Sequence, residues 1–363
     1  MKLRYLILTT ALIALVSTPA FADDPSVTIK NYVGKITIET SPKYTLDISN
    51  QTTSEDVDLD ETGSELIIDG GIDDPDGKKC KGYYGKSSWS WFGRKEKHSD
   101  FGGYKDLDDY PNITVTAPKT VKVIIDNAIP FGYIGDIGSA DISMPYCGQL
   151  DIGTIASDAI FNIRGSGDIN AGDIGNLYTS VRGSGDVEIG NVAREAKIKV
   201  TGSGDIALGD ANVIELSVTG SGDVSFGDAE TVELTVTGSG DVEIGSVSKS
   251  LAMRNQGSGD INVETAFGEL NYESRGSGDL EIEEANGNAD IDIGGSGDVE
   301  IDQGDLNYLK VRSSGASHVD IGGVVKDADL RARGASDIYL NRVTGALIQK
   351  ESGAADINVS RRD

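Results

Sequence analysis

Apolar and polar residues alternate one by one along most of this chain. Val187-Glu188-Ile189, Ile206-Ala207-Leu208, Val242-Glu243-Ile244 and Val299-Glu300-Ile301 show the pattern. So do Ile198-Lys199-Val200, Leu216-Ser217-Val218 and Leu234-Thr235-Val236. A period of two is the signature of a β-strand with one buried face. The aliphatic residues then point inward, and Glu188, Glu243 and Glu300 point outward. These runs carry no 3.6-residue periodicity and are too short to hold a helix of their own.

The two kinds of run flank a repeated corner. Gly-Ser-Gly-Asp occurs eight times, starting at residues 165, 183, 202, 220, 238, 257, 276 and 295. Weakened copies follow at Gly315-Ala316-Ser317-His318, Gly334-Ala335-Ser336-Asp337 and Gly353-Ala354-Ala355-Asp356, and Gly138-Ser139-Ala140-Asp141 reads as an earlier one. A fixed period of 18–20 residues means stacked repeats. One unit cannot bury its apolar face alone, so neighbours must stack. The expected fold is all-β: a right-handed parallel β-helix, or β-solenoid, with 18–20-residue coils. The hand follows the general crossover preference of parallel strands. The first Gly of the tetrad is kept in every copy, which places it where φ is positive or where backbones touch.

Upstream of the repeats the alternation is irregular. Val27-Thr28-Ile29, Lys35-Ile36-Thr37-Ile38, Tyr44–Ile48, Leu66-Ile67-Ile68, Ile113-Thr114-Val115 and Val121–Ile124 all read as strands. The expected organisation is a signal peptide over 1–22, a cap and opening coils over 23–137 with an insertion at 71–108, and the repetitive solenoid over 138–363. A separate globular domain at the N-terminus is the rival arrangement.

Composition narrows the class. The chain has 47 glycines in 363 residues and only 6 % aromatics, which suits a core of small and β-branched side chains. Its formal net charge is −27, which argues against nucleic acid or an anionic membrane surface as partner. Lys2 and Arg4, the apolar run Leu6–Val16 and Ala20-Phe21-Ala22 form an export signal cleaved before Asp23. Cleavage exports the chain to the periplasm or beyond it, to the outside or the cell surface. That run is short for a bilayer, and no transmembrane segment is expected elsewhere.

Residues 71–108 differ in chemistry from the rest. Lysines and arginines gather there with Tyr83, Tyr84, Trp89 and Trp91, and both tryptophans of the chain are among them. The stretch is either a loop packed on the acidic coils or a recognition loop whose aromatics stack on a sugar or a partner. The two cysteines, Cys80 and Cys147, are expected to pair in an exported chain. The disulfide would pin the insertion to the first coils.

The repeated Asp is the best candidate site in the solenoid. Asp186, Asp205, Asp223, Asp241 and their equivalents should stand one above another. Each then accepts a hydrogen bond from its own turn as an Asx-turn, or the column holds calcium, whose ligands are oxygens. Catalysis has little support. Only His98 and His318 are present, and no zinc, hydrolase-elbow or P-loop motif occurs. No cofactor is expected.

The chain resembles the bacterial head GIN domain family, the putative auto-transporter adhesins. The likeness lies in the Gly-Ser-Gly-Asp-(Ile/Val) corners, including Gly167-Asp168-Ile169-Asn170 and Gly259-Asp260-Ile261-Asn262. It also lies in Asn112-Ile113-Thr114-Val115-Thr116-Ala117-Pro118 followed by Val121-Lys122-Val123. The resemblance implies an exported right-handed β-solenoid without known catalytic residues. It supplies no site residues to carry over. The expected function is an exported, non-catalytic, adhesin-like surface-interaction protein of the cell envelope. The alternative is a polysaccharide-binding or polysaccharide-cleaving solenoid. Polysaccharide or envelope components are the expected partners.

Overall fold

The computed structural model describes residues 25–41, 45–49, 57–72 and 110–362. Every regular element among them is a strand. The strands form a β-solenoid of stacked parallel coils of about 19 residues. Two compact units divide the chain: residues up to Gly175 together with Gly185–Val187, and Asn176–Ser184 together with Glu188 onward.

In the second unit each coil presents the same inward set. Ile206, Leu208, Ala211, Ile214, Leu216 and Val218 are buried in one coil, and Val224, Phe226, Ala229, Val232, Leu234 and Val236 in the next. The ladders place them in register: Ile206 beside Val224, Ile214 beside Val232 and Val218 beside Val236. Burying one such side chain contributes about 1.5–3 kcal/mol, so the column of aliphatics is what holds successive coils together.

The variation in coil length has a definite place. The first inward residues of successive coils are Ile206, Val224, Val242, Ile261, Leu280, Val299 and Val319. The fourth are Ile214, Val232, Leu251, Leu270, Ala289, Leu309 and Ala328. From the first to the fourth the chain takes 8, 8, 9, 9, 9, 10 and 9 residues. From the fourth, through the Gly-Ser-Gly-Asp corner, to the next first it takes 10 every time up to Ile338. Ladder irregularities fall accordingly between Val192 and Glu195 and between Ala229 and Thr231. The glycine corner is rigid in length, and the opposite side of the coil absorbs the slack.

The first unit is not stacked in chain order. Its strands are β1 (Ser26–Lys30), β2 (Val33–Thr40), β3 (Thr45–Ser49), β4 (Asp58–Thr62), β5 (Glu65–Asp69), β6 (Asn112–Ala117), β7 (Lys122–Asp126) and β8 (Ile129–Ile134). Strand β1 pairs in parallel with both β5 and β7, and β2 with both β6 and β8. The first two strands of the fold therefore lie between later coils. The outer edges of β5 and β6 are covered by β4 and β3, which run antiparallel to them. This closes strand edges that would otherwise offer unpaired backbone groups. Tyr32 is fully buried at the β1–β2 corner, and its hydroxyl donates toward the carbonyls of Lys35 and Pro111 at 2.8 and 2.7 Å.

One expected repeat falls elsewhere. Gly138–Asp141 matches the tetrad in letters, but Ala140 stands in register with Val123 and Ala159, in the fourth inward column. The residues that occupy the tetrad corner are Tyr146–Gln149, with Cys147 beside Ser166, Gly148 beside Gly167 and Gln149 beside Asp168. Register, set by the buried alternation, overrides the local resemblance.

In the last described coil of the second unit two inward columns turn polar, while Ile357 stays buried beside Ile338. Gln349 and Glu351 stand in register with Leu330 and Ala332, and both are exposed.

Candidate functional site

The Gly-Ser-Gly-Asp corner is a relay between coils. Ser221 N–H donates to Gly202 carbonyl at 2.8 Å, Asp223 N–H to Asp205 Oδ1 at 2.9 Å, and Ile206 N–H to Asp223 carbonyl at 3.0 Å. The carboxylate bond recurs from Asp241 to Asp223, Asp260 to Asp241, Asp279 to Asp260 and Asp298 to Asp279, at 2.7–2.9 Å. The expected Asx-turn is therefore replaced by a bond to the next coil. The reason is geometric: the corner N–H points along the stacking direction, so its acceptor must come from the neighbouring coil.

In the full tetrads both glycines sit at a close approach of backbones. A Cβ on Gly259 would sit 2.0 Å from Gly240 carbonyl oxygen, and one on Gly257 2.0 Å from that of Gly238. In the weakened copies Ser317 and Ser336 take the second glycine's place and are buried. His318 N–H still donates to Asp298 Oδ1, at 2.7 Å. Asp337 N–H turns instead to Ser317 carbonyl, at 3.0 Å.

A second relay lies at the next corner, and the sequence reading missed it. Asp210 N–H donates to Asn191 Oδ1, Asp228 N–H to Asp210 Oδ1 and Ser246 N–H to Asp228 Oδ1, each at 2.9 Å. The signal was present: a Gly followed by Asp, Asn, Thr or Ser begins at Gly135, Gly153, Gly172, Gly190, Gly209, Gly227 and Gly245. In the first unit Asp136 accepts from Thr154 N–H at 3.1 Å, and Lys119 lies 2.7 Å away. Lys119, helped by that N–H, holds the Asp136 carboxyl below its ordinary range. Asp168 goes the other way. Burial, and the negative charge of Asp186, raise its carboxyl above the ordinary value despite the N–H it accepts.

These corners bear on the calcium candidates. The Oδ1 atoms of Asp205, Asp223 and Asp241 are already engaged by backbone N–H groups, and Asp186 donates its own N–H to Asp168 at 3.0 Å. Among the described residues no group of three or more His, Cys, Asp or Glu converges as an ion-binding cluster.

The outer faces of the second unit differ in charge. The outward positions of the short strands carry Glu188, Glu243, Glu281, Glu300 and Asp320. Those of the long strands carry Lys197, Lys199, Arg254, Lys310, Arg312 and Arg331 among acidic partners. On this second face lies a groove of about 410 Å³. Its floor is Ala252 and Asn271, short side chains in register with the longer Glu233 and Asp290. One wall is an alternating ionic chain. Arg254 meets Glu273 at 2.8 Å, and Arg275 meets Glu273 and Asp292 at 3.2 Å each. Arg312 approaches Asp290 at 3.6 Å. Exposed ion pairs contribute at most about 1 kcal/mol each to stability. Their effect here is to hold guanidinium donors and carboxylate acceptors side by side in a fixed array.

The head GIN domain family, described as a putative auto-transporter adhesin, matches residues 94–229, 225–324 and 255–362. The chain belongs to this family. No curated protein and no solved structure matches it.

In this head GIN domain protein the expected recognition residues Tyr83, Tyr84, Trp89 and Trp91, and Cys80, lie outside the described residues. Cys147 is described. It is buried at the tetrad corner in a cluster with Val33, Tyr110, Ile129 and Phe131, against which Ile72 packs. Ile72, at the start of the insertion, and Tyr110, just after it, are the last and first described residues on the two sides of the undescribed stretch, so Cys147 stands where the chain leaves and re-enters the stack. No helix among the described residues is long and apolar enough to cross a membrane.

Proposed function

We propose that this head GIN domain protein is an exported, non-catalytic surface-interaction protein of the bacterial envelope, and that it binds polysaccharide along the long-strand face. The observation that carries the reading is the groove over Ala252 and Asn271 with its wall of Arg254, Glu273, Arg275 and Asp292. Guanidinium, amide and carboxylate groups held a coil apart suit the hydroxyl pairs of successive sugars. A repeated ligand gains from many such weak contacts. The family's description as an adhesin agrees with a role in attachment.

The export signal and the Cys80–Cys147 disulfide belong to the same reading. The place of Cys147, beside the exit and re-entry of the insertion, supports a covalent tether for that loop. Sequencing the mature protein should find Asp23 first, and thiol titration should find none free.

A panel of polysaccharides scored for both retention and product release tests the proposal. Binding without chain shortening is the expected result. Chain shortening would make the protein an enzyme, and no binding to any member would leave a purely structural role.

A further inference from the structure

Phe267 and Tyr308 are each 43 % exposed, two of the four exposed aromatic rings among the described residues. They lie on one corner of the second unit, two coils apart. Phe267 is in register with Asn286, and Tyr308 with Asn288. At ~4.8 Å per coil their strands are about 10 Å apart along the stack, and Tyr308 is offset by two positions along the strand, in the column of Glu269 and Asn288. The corner is built to project them. Gly268 and Gly287 stand in register with φ of +89° and +115°, which side-chain-bearing residues rarely adopt. The equivalent corner of the coil at Val213 has no such glycine.

Between the rings lie fixed amides. Asn288 donates to Glu269 Oε1 at 2.8 Å, and Asn286 donates to Glu284 Oε1 at 2.7 Å while accepting from Asp305 N–H at 2.9 Å. Each amide has further hydrogen-bonding capacity by valence. The strands that leave this corner run on to the groove. Glu269 and Asn271 alternate on one strand, Asn288 and Asp290 on the next, and Tyr308 and Lys310 on the one after. Neither ring lines the groove itself; both stand beyond it on the same run of strands, on the side away from the arginines.

We infer that Phe267 and Tyr308 are sugar-stacking platforms that extend this groove and that its ligand is a neutral glycan chain. A sugar ring has an apolar face and a polar rim, which matches an aromatic flanked by amides and carboxylates. A protein partner would want a contiguous apolar patch, and the two rings are separated by polar side chains. A uronate chain would bring its carboxylates against Glu269, Asp290 and Asp292. This inference rests on the glycan-binding reading above and names the ligand class and two of its contacts.

The test uses the full mature chain against immobilised hexasaccharides of glucose, mannose, xylose and N-acetylglucosamine, with hexagalacturonate alongside. Wild type is expected to retain at least one neutral hexamer. Phe267→Ala and Tyr308→Ala should each weaken that binding tenfold or more, Phe267→Trp should keep it, and Tyr178→Ala, an exposed ring elsewhere, should leave it unchanged. All four variants should melt with wild type, since the side chains are exposed. Neutral-glycan binding unaffected by the double alanine variant would overturn this inference and leave the broader reading standing. Preference for hexagalacturonate would overturn the ligand class. No binding to any hexamer would overturn both.

Discussion

Asp260 gives its backbone N–H to Asp241 Oδ1, at 2.8 Å, across the boundary between two coils. The side chain that marks the repeat is therefore a connector. Asp241→Asn keeps an oxygen in place and should unfold within about 0.5 kcal/mol of wild type. Asp241→Ala removes the acceptor and should cost about 0.5–1.5 kcal/mol. Urea denaturation of the two variants separates a connector from a merely solvated carboxylate, for which both would be neutral.

Asp168 should behave differently from its neighbours as pH changes. Burial and Asp186 raise its carboxyl in the folded chain. A folded value above the unfolded one means that this group favours folding most at low pH. That contribution is lost as pH rises through the folded value. Asp168→Asn keeps the acceptor and drops the charge. The variant should be more stable than wild type at neutral pH, by less than ~1 kcal/mol because the site still touches water. The difference should vanish below the unfolded carboxylate range of about 3.9. Melting curves from pH 3 to 8 check both the sign and the window.

Glycine in the tetrad answers to space. A methyl group at Gly259 would collide with Gly240 backbone. Gly259→Ala should destabilise by about 1–3 kcal/mol, as overpacking does. Ser239→Ala, at an exposed position of the same motif, should stay within about 0.5 kcal/mol. Equal effects in chemical denaturation would contradict the close-approach account.

Coil length offers a sharper contrast. One alanine inserted after Asn212 converts an 18-residue coil into the 19-residue kind found beside it, on the side where the ladders already shift. That variant should fold and melt within a few degrees of wild type. One alanine inserted between Ser258 and Gly259 moves the following strand by one residue and turns its apolar side outward. It should lose cooperative unfolding or most of its stability in a thermal melt.

Much of this was legible in the residues themselves. Alternation such as Val242-Glu243-Ile244 identifies the strands, and the spacing of the tetrads identifies the coils. Three features were hidden for physical reasons. The second carboxylate relay varies its second residue among Asp, Asn, Thr and Ser, since any of them can close a corner, so no invariant motif announces it. The place of β1 and β2 between later coils depends on which ladder each strand edge finds in space. The groove is made by Ala252 and Asn271 standing between Glu233 and Asp290, residues about 19 apart in the chain that meet only through stacking. Gly138–Asp141 shows the opposite error, a motif in letters without the register to use it.

Stacking in register is the claim on which the relays, the groove and the aromatic corner all depend. Spin labels at Ala207 paired with Glu281, Glu300 or Asp320, which follow one another in the same outward column, test it by dipolar spectroscopy. At ~4.8 Å per coil the three distances should be about 19, 24 and 29 Å. Distances that fail to climb in equal steps with each coil would contradict the account.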